Sequence, residues 1–182
     1  MQLSQKLLPY EITTNTQGIS LEGIVERKKS VLSIEFHLSG QMNKINCPPP
    51  QGVQQRLDQL WKHTCFEAFF SWDDNIFYWE LNVSPTGDWN LYYFDDYRSG
   101  QMSEKRIENI PFKLNEFNLN SYKNRIIIDL SKIIPETKVA QELQLSLTAV
   151  LENKDLSKTY WATDHLGEKP DFHIRKSFYI RI

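Results

Sequence analysis

The sequence predicts an all-β sandwich of mostly antiparallel strands with little helix, and three observations support this fold class. Apolar and polar residues alternate in many short segments, with Gly, Pro, Asn and Asp between them. Aromatic residues make up 13% of the chain, and Trp, Tyr and Phe favour strands. Almost no segment has a convincing amphipathic helical pattern. With 182 residues the chain can bury a sizeable core, and we expect residues 1–182 to form a single domain.

The first part of the chain contains a predicted hairpin and a loop. Residues 19–27 and 31–39 both alternate between apolar and polar side chains, and a short turn joins them. Residues 40–52 contain three consecutive prolines, which have no N–H donor and therefore predict a loop. Residues 53–61 allow one or two helical turns.

The rest of the chain carries most of the predicted strands. Asp73-Asp74 and the segment SPTGD supply the turns between the first three of them. Residues 131–138 follow a strand as a loop or a helical turn. The predicted strands are 65–72, 75–84, 89–97, 111–117, 125–131, 143–152, 158–163 and 177–182.

Two glutamates fall on one face of the predicted hairpin formed by residues 65–84. If Asp73 and Asp74 form the whole turn, Glu67 lies directly opposite Glu80, and a turn two residues longer places Glu67 opposite Asn82. In both registers the two carboxylates share a face. A three-residue loop would separate them, but it would also mix apolar and polar side chains on one face.

The next strand adds polar side chains to this face. With SPTGD as a five-residue loop, Glu80 lies opposite Tyr92 and Asn82 lies opposite Asn90. Carboxylates, amides and aromatic rings together can hydrogen-bond to the hydroxyls of a sugar and stack on its ring. The same side chains also occur on a solvated sheet face, so both interpretations stay open.

The carboxylate pair has a structural and a functional interpretation. Two like charges on adjacent strands repel each other by about 0.2–1 kcal/mol. A cation relieves that repulsion, and we expect Arg98 or Lys169 within ion-pair reach of at least one glutamate. A ligand with hydroxyl groups can occupy the same face. Two carboxylates can also act as the acid and base of glycoside hydrolysis, at a separation of roughly 5–10 Å.

Composition and motifs argue against several classes of partner. A net charge of −2 offers no basic surface to nucleic acid. No apolar run approaches the roughly 20 residues of a membrane helix, and no secretory signal is visible, so we expect a cytoplasmic protein without a membrane partner. Cys47 and Cys65 are expected to be free thiols. Residues 164–173 are rich in Asp, Glu and His, but their spacing favours a solvated loop, and we expect neither a metal nor a cofactor.

Three strings in the sequence resemble a bacterial family of DOMON-like proteins. This family is related to the family nine carbohydrate-binding modules and to the sugar- or haem-binding DOMON domains. The resemblance extends from about Leu60 to Phe178, with one departure in RSGQM, which has an extra residue before the methionine. The strings are LWKHTCFEAFF, FYWELNVSPTGDWNLYYFDDYRSG and GEKPDFHIRKSF.

The resemblance implies an immunoglobulin-like or jelly-roll sandwich with one concave sheet that faces a ligand. It implies binding of a sugar or a haem rather than chemistry. A haem would need axial ligands, for which Met102 with His63 or His165 are the candidates. The positions that match the carbohydrate-binding relatives are Trp61, Glu67, Glu80, Asn82, Trp89 and Arg98.

These observations lead to one functional hypothesis and leave alternatives open. The leading hypothesis is a non-catalytic module that binds a carbohydrate or a similar polar small molecule. The alternatives are a haem-binding DOMON-type domain and a glycoside-acting enzyme that uses Glu67 and Glu80. A structural or protein-interaction sandwich without a small ligand is a further interpretation.

Overall fold

The computed structural model describes residues 2–72 and 75–182 and shows an all-β sandwich, as predicted. Within these residues the helices are five 3₁₀ turns, at Met42–Lys44, Leu60–Lys62, Leu130–Lys132, Glu136–Lys138 and Arg175–Ser177. No helix in the described ranges has the length and apolar character to cross a bilayer. The strands are β1 (Gln2–Pro9), β2 (Ile19–Lys28), β3 (Val31–Gly40), β4 (Cys65–Trp72), β5 (Tyr78–Val83), β6 (Trp89–Phe94), β7 (Met102–Ser103), β8 (Phe112–Phe117), β9 (Ser121–Asp129), β10 (Leu143–Glu152), β11 (Lys158–Ala162) and β12 (Ile180–Arg181).

The strands form two antiparallel sheets that share one strand. The first sheet has the order β8-β9-β3-β2-β1, and the second has the order β7-β6-β5-β4-β10-β11, with β12 beside β10. β1 belongs to both sheets, because its residues 2–7 pair with β2 whereas Leu8 and Pro9 pair with β11. The N-terminal strand therefore joins the two sheets along one side.

The main core fills the space between the sheets. Phe66 of β4 lies 5.1 Å from Phe36 of β3, ring centre to ring centre, and stacks on Tyr122 of β9 at 5.2 Å. Gly23 of β2 packs so closely against Leu147 of β10 that an added Cβ would clash with the leucine side chain. These contacts join the first sheet to the second, so the apolar faces that alternation predicted are the faces that meet.

Tyr122 also joins the sheets through a hydrogen bond. Its buried hydroxyl donates to the carbonyl oxygen of Pro85, in the turn between β5 and β6, at 3.1 Å, and accepts from Nδ2 of Asn124 at 3.2 Å. We expect Tyr122→Phe to lower the free energy of unfolding by about 1–2 kcal/mol, because two buried polar groups lose a partner. Urea denaturation measures this loss.

Tyr10→Phe is the matched control. The Tyr10 hydroxyl lies 3.5 Å from the carbonyl oxygen of Gly167 at a partly exposed site, so its removal should change the free energy of unfolding by less than about 0.5 kcal/mol. Equal losses for the two variants would contradict the role given to Tyr122.

The structure confirms most of the predicted strands, but several of them begin or end at different residues than predicted. β9 begins at Ser121, four residues before the predicted strand, and β5 is described from Tyr78. The predicted strand at 177–182 is a 3₁₀ turn followed by the two-residue strand β12. The turn predicted at Asp73-Asp74 lies outside the described residues. The immunoglobulin-like or jelly-roll topology and the single-domain organisation stay predictions.

Two elements were missed, and one was confirmed only in part. β1 and β7 were not predicted, because β1 has a mainly polar sequence and β7 has only two residues. Of the one or two helical turns predicted in residues 53–61, the structure has one, the 3₁₀ turn Leu60–Lys62. The residues before it are not helical, and Arg56 makes a parallel bridge to Trp89. Pairing with the start of β6 gives the backbone N–H and C=O groups of this segment hydrogen-bond partners, and a short isolated helix is only marginally stable.

Candidate functional site

A cavity of about 360 Å³ opens on the outer face of the second sheet, which is turned away from the main core. We call it the outer-sheet cavity. Its floor includes the carboxyl groups of Glu67 and Glu80. Arg98 and two lysines, Lys62 and Lys158, contribute cationic side chains to its lining. Its aromatic lining consists of Trp61, Phe69, Phe94, Tyr160, Phe172 and His173.

The pairing of the strands places both glutamates on this face. Glu67 of β4 lies opposite Asn82 of β5, and Glu80 lies opposite Phe69, which is the register of the longer turn. The two carboxylates are therefore diagonal neighbours on adjacent strands. On the other side of β5, Glu80 lies opposite Tyr92, and this register confirms the prediction for the five-residue loop.

Glu67 is buried and holds its proton strongly. Its side chain is 2% exposed, and its Oε2 accepts a hydrogen bond from Oγ1 of Thr148 on β10 at 3.0 Å. Burial raises the pKa of Glu67 well above its ordinary value, and the nearby charge of Glu80 raises it further. The hydrogen bonds from Thr148 and Cys65 lower that pKa but do not restore it.

Glu80 is almost as buried but loses its proton more easily. It is 5% exposed, and its Oε1 accepts a hydrogen bond from Nδ2 of Asn82 at 2.6 Å. Burial raises the pKa of Glu80 to about 7, against the lowering effects of the Asn82 hydrogen bond and the charge of Arg98. The two glutamates thus differ in charge near neutral pH, because Glu67 stays protonated where Glu80 ionises.

His173 faces Glu80 as a neutral imidazole. Burial, together with the charge of Arg98, lowers the pKa of His173 to about 4. Nδ1 of His173 lies 2.8 Å from the hydroxyl of Tyr78, which also accepts the backbone N–H of Arg98 at 3.1 Å. If the Tyr78 hydroxyl donates to Nδ1, the ring proton is on Nε2, which is 3.8 Å from Oε2 of Glu80.

Arg98 does not form the ion pair that the sequence predicted. Its guanidinium binds the carboxylate of Asp171 at 2.9 Å, and the hydroxyl of Tyr97 donates to the same carboxylate. No ion pair from Arg98 or Lys169 to either glutamate occurs among the described residues. The expectation was wrong because the segment that carries Asp171 folds over the sheet and supplies the carboxylate that binds the arginine.

Of the six predicted site residues, four line the outer-sheet cavity, namely Trp61, Glu67, Glu80 and Arg98. Asn82 is fully buried beneath it and touches the cavity only through its bond to Glu80. Trp89 is on the opposite face of the sheet, 3% exposed in the main core, with the Arg56 guanidinium 4.1 Å from its ring centre. It lies opposite Val83, so alternation puts it on the core side.

The sequence missed several residues of the cavity, above all those in the segment after β11. Phe172 and His173 come from this segment, which was expected to be a solvated loop. Phe172 packs on Phe69, 6.4 Å between ring centres, so the segment covers the outer face instead of extending into water. Both residues lie in the string GEKPDFHIRKSF, and the resemblance of this string to the DOMON-like family was the available signal that the segment belongs to the site.

The residues considered for haem do not fit that group. Met102 is 53% exposed on the edge strand β7, and His63 lies beside the carboxylate of Glu152 at 3.1 Å. Met102 and His63 line different cavities, and Nε2 of His165 is engaged by the carbonyl oxygen of Leu8 at 2.8 Å. No cluster of three or more His, Cys, Asp or Glu suited to a metal ion is found among the described residues.

A larger cavity of about 670 Å³ lies elsewhere in the sandwich. Its lining is mostly apolar or neutral and includes Met42, Ile45, Cys47 and Leu119. Its charged side chains are all partly or fully exposed. Its buried ionisable group is the Cys47 thiol, whose pKa burial raises to about 12, so this thiol stays neutral. The outer-sheet cavity instead brings together two buried carboxyl groups with raised pKa values, and it is therefore the better candidate.

Comparison with known proteins shows the fold. No protein-family model and no curated protein matches the chain. A "putative carbohydrate-binding protein" from Bacteroides uniformis superposes with a TM-score of 0.68 at 10% identity, over 97% of this chain and 84% of that one. A family 9 carbohydrate-binding module from Caldicellulosiruptor kristjanssonii, in complex with cellotriose, gives a TM-score of 0.49 at 9% identity, over 88% and 72%. The first likeness supports the β-sandwich architecture.

Proposed function

We propose that the outer-sheet cavity binds a small carbohydrate. The observation that carries this proposal is the placement of two buried carboxyl groups on the floor of a cavity with aromatic walls. Carboxyl oxygens bind hydroxyl groups, and aromatic rings cover the apolar faces of a sugar ring. The volume of about 360 Å³ is within the usual range of small-molecule sites.

Four of the side chains that the resemblance implied have direct roles in this proposal. Trp61 offers an aromatic face, Glu67 and Glu80 offer hydrogen bonds, and Arg98 stands at the cavity wall. Asn82 orients the carboxyl group of Glu80 from below. The protein from Bacteroides uniformis that shares the fold is named for carbohydrate binding, which supports the same class of ligand here.

We also infer membership of the DOMON-like family. The support is that the three strings behind the resemblance meet at one cavity. The first string supplies Trp61 and Glu67, the second supplies Glu80 and Arg98, and the third supplies His173.

Calorimetric titration with a panel of monosaccharides and disaccharides tests the proposed binding. We expect at least one sugar to bind the wild-type protein, and Trp61→Ala to weaken that binding by about 10- to 100-fold, or 1.4–2.7 kcal/mol. His63→Ala, beside the larger cavity, should leave the affinity unchanged. A sugar whose affinity falls in His63→Ala but not in Trp61→Ala would place the site in the larger cavity and contradict the proposal.

A further inference from the structure

We propose that Glu67 and Glu80 open and close the ring of a reducing sugar bound in the outer-sheet cavity, and so interconvert its two anomers. This inference rests on the carbohydrate binding proposed above and adds an activity to it. It departs from the expectation of a non-catalytic module.

The two carboxyl groups have the placement that this reaction needs. They project from the same face of adjacent strands as diagonal neighbours, a relation that sets their Cβ atoms within about 7–8 Å. Both line the cavity, so both approach a bound ring from the same side. The anomeric hydroxyl and the ring oxygen are bonded to the same carbon, and a pair on one side can reach both. Hydrolysis would instead need carboxyl groups that flank a glycosidic bond.

The reaction balances with the groups present. Ionised Glu80 takes the proton of the anomeric hydroxyl, and the electron pair of that O–H bond forms the C1=O double bond. The bond between C1 and the ring oxygen breaks, and its electron pair takes the proton of Glu67. The products are an open-chain aldehyde, protonated Glu80 and ionised Glu67, so the charge of the site is unchanged. Rotation about C1–C2 and the reverse transfers close the ring as the other anomer.

The surroundings of the pair give each glutamate its role. Glu67 is the group that keeps its proton near neutral pH, so it is the acid, and Glu80 is the group that loses it, so it is the base. Oε1 of Glu80 is held by Asn82, whereas Oε2 is 3.8 Å from Nε2 of His173, too far for a direct hydrogen bond. That second oxygen remains open to a hydroxyl in the cavity. Asn82 and His173 are positioning residues.

Polarimetry of freshly dissolved α-D-glucose, α-D-galactose and α-D-xylose tests the proposal. We expect the wild-type protein to accelerate the change in optical rotation of at least one sugar above the rate in buffer. Glu67→Gln and Glu80→Gln should each reduce the protein-dependent rate at saturating sugar by about 100-fold or more, the usual contribution of acid–base catalysis. Calorimetry should show that both variants still bind the sugar within about tenfold of the wild type, because an amide retains hydrogen bonds.

His63→Gln is the matched control, since His63 lines the larger cavity, and its rate should equal that of the wild type. A wild-type protein that binds a sugar and leaves its rate of rotation at the buffer value would overturn the ring-opening activity and leave the binding proposal intact. Glutamine variants that keep the full rate would also overturn it. Absence of both binding and acceleration would overturn the two proposals together.

Discussion

Trp89→Ala should lower the free energy of unfolding by about 3–5 kcal/mol, whereas Trp61→Ala should lower it by only about 0.5–1.5 kcal/mol. Trp89 is 3% exposed in the main core and stacks under the Arg56 guanidinium, so its removal leaves a large cavity and an uncovered cation. Trp61 is half-buried on a 3₁₀ turn, where its ring meets the edge of Tyr92 at 5.8 Å. Chemical denaturation of the two variants measures the difference.

In a binding experiment the two variants should show the opposite order of effects, with the larger loss of affinity in Trp61→Ala. Trp61→Ala weakens sugar binding without unfolding the protein, while the Trp89→Ala protein that remains folded should bind the sugar with the affinity of the wild type. A Trp89 variant of full stability and reduced affinity would show that Trp89 contacts the ligand after all.

Glu67→Gln should make the protein more stable than the wild type at alkaline pH. In the unfolded chain Glu67 ionises near its ordinary pKa of 4.5, whereas burial raises its pKa in the folded protein well above that value. Between the two values the folded protein keeps a proton that the unfolded chain releases, so stability falls as the pH rises. Glutamine cannot ionise, so the Glu67→Gln variant does not lose this part of its stability as the pH rises.

The other groups of the cavity set the best pH window for the measurement. Glu80 changes the stability with pH in the same direction as Glu67, because stability is lost as the pH rises from 4.5 towards about 7. His173 acts in the opposite direction, because its lowered pKa of about 4 causes stability to be lost as the pH falls from 6.5. The contribution of the histidine fades as the pH rises above 6.5, so the carboxyl groups dominate the slope among these three.

Urea denaturation at pH 6.5 and about pH 8.5 should therefore show a larger loss of stability for the wild type than for Glu67→Gln, by at most about 1.4 kcal/mol per pH unit, the value for one proton. Glu116→Gln is the control. The hydrogen bond from Lys123 lowers the pKa of Glu116 to about 2, so this residue is ionised in both states throughout the window and its variant should follow the wild type. Parallel curves for the wild type and Glu67→Gln would mean that Glu67 is ionised in the folded protein.

The sequence predicted the parts of the site that depend on local geometry. Side chains alternate along a strand with a period of two, so Glu67 and Glu80 could be placed on one face before their exact register was known. The register itself depends on the length of the turn between β4 and β5, which alternation does not determine. A stricter use of alternation would also have placed Trp89, opposite Val83, on the core side.

The remaining parts of the site depend on contacts between distant segments. The segment that carries Asp171 and His173 has no periodic pattern, and its position over the sheet follows from the packing of Phe172 on Phe69. That packing brings Asp171 to Arg98, so the arginine forms its ion pair with Asp171 and not with a glutamate. β1 was missed for a related reason, since its mainly polar sequence is held in the fold by pairing on both sheets.

The hydrogen bond between Glu67 and Thr148 joins residues that are 81 positions apart in the chain, and this separation bears on how the protein folds. The pairing of β4 with β10 must close a long loop, which makes such contacts slow to form. Until β10 docks, the Glu67 carboxyl group is in water and ionised at neutral pH. It must therefore take up a proton as the strands come together. If β4 and β10 pair in the rate-limiting step, we expect the refolding rate to fall as the solution becomes more alkaline.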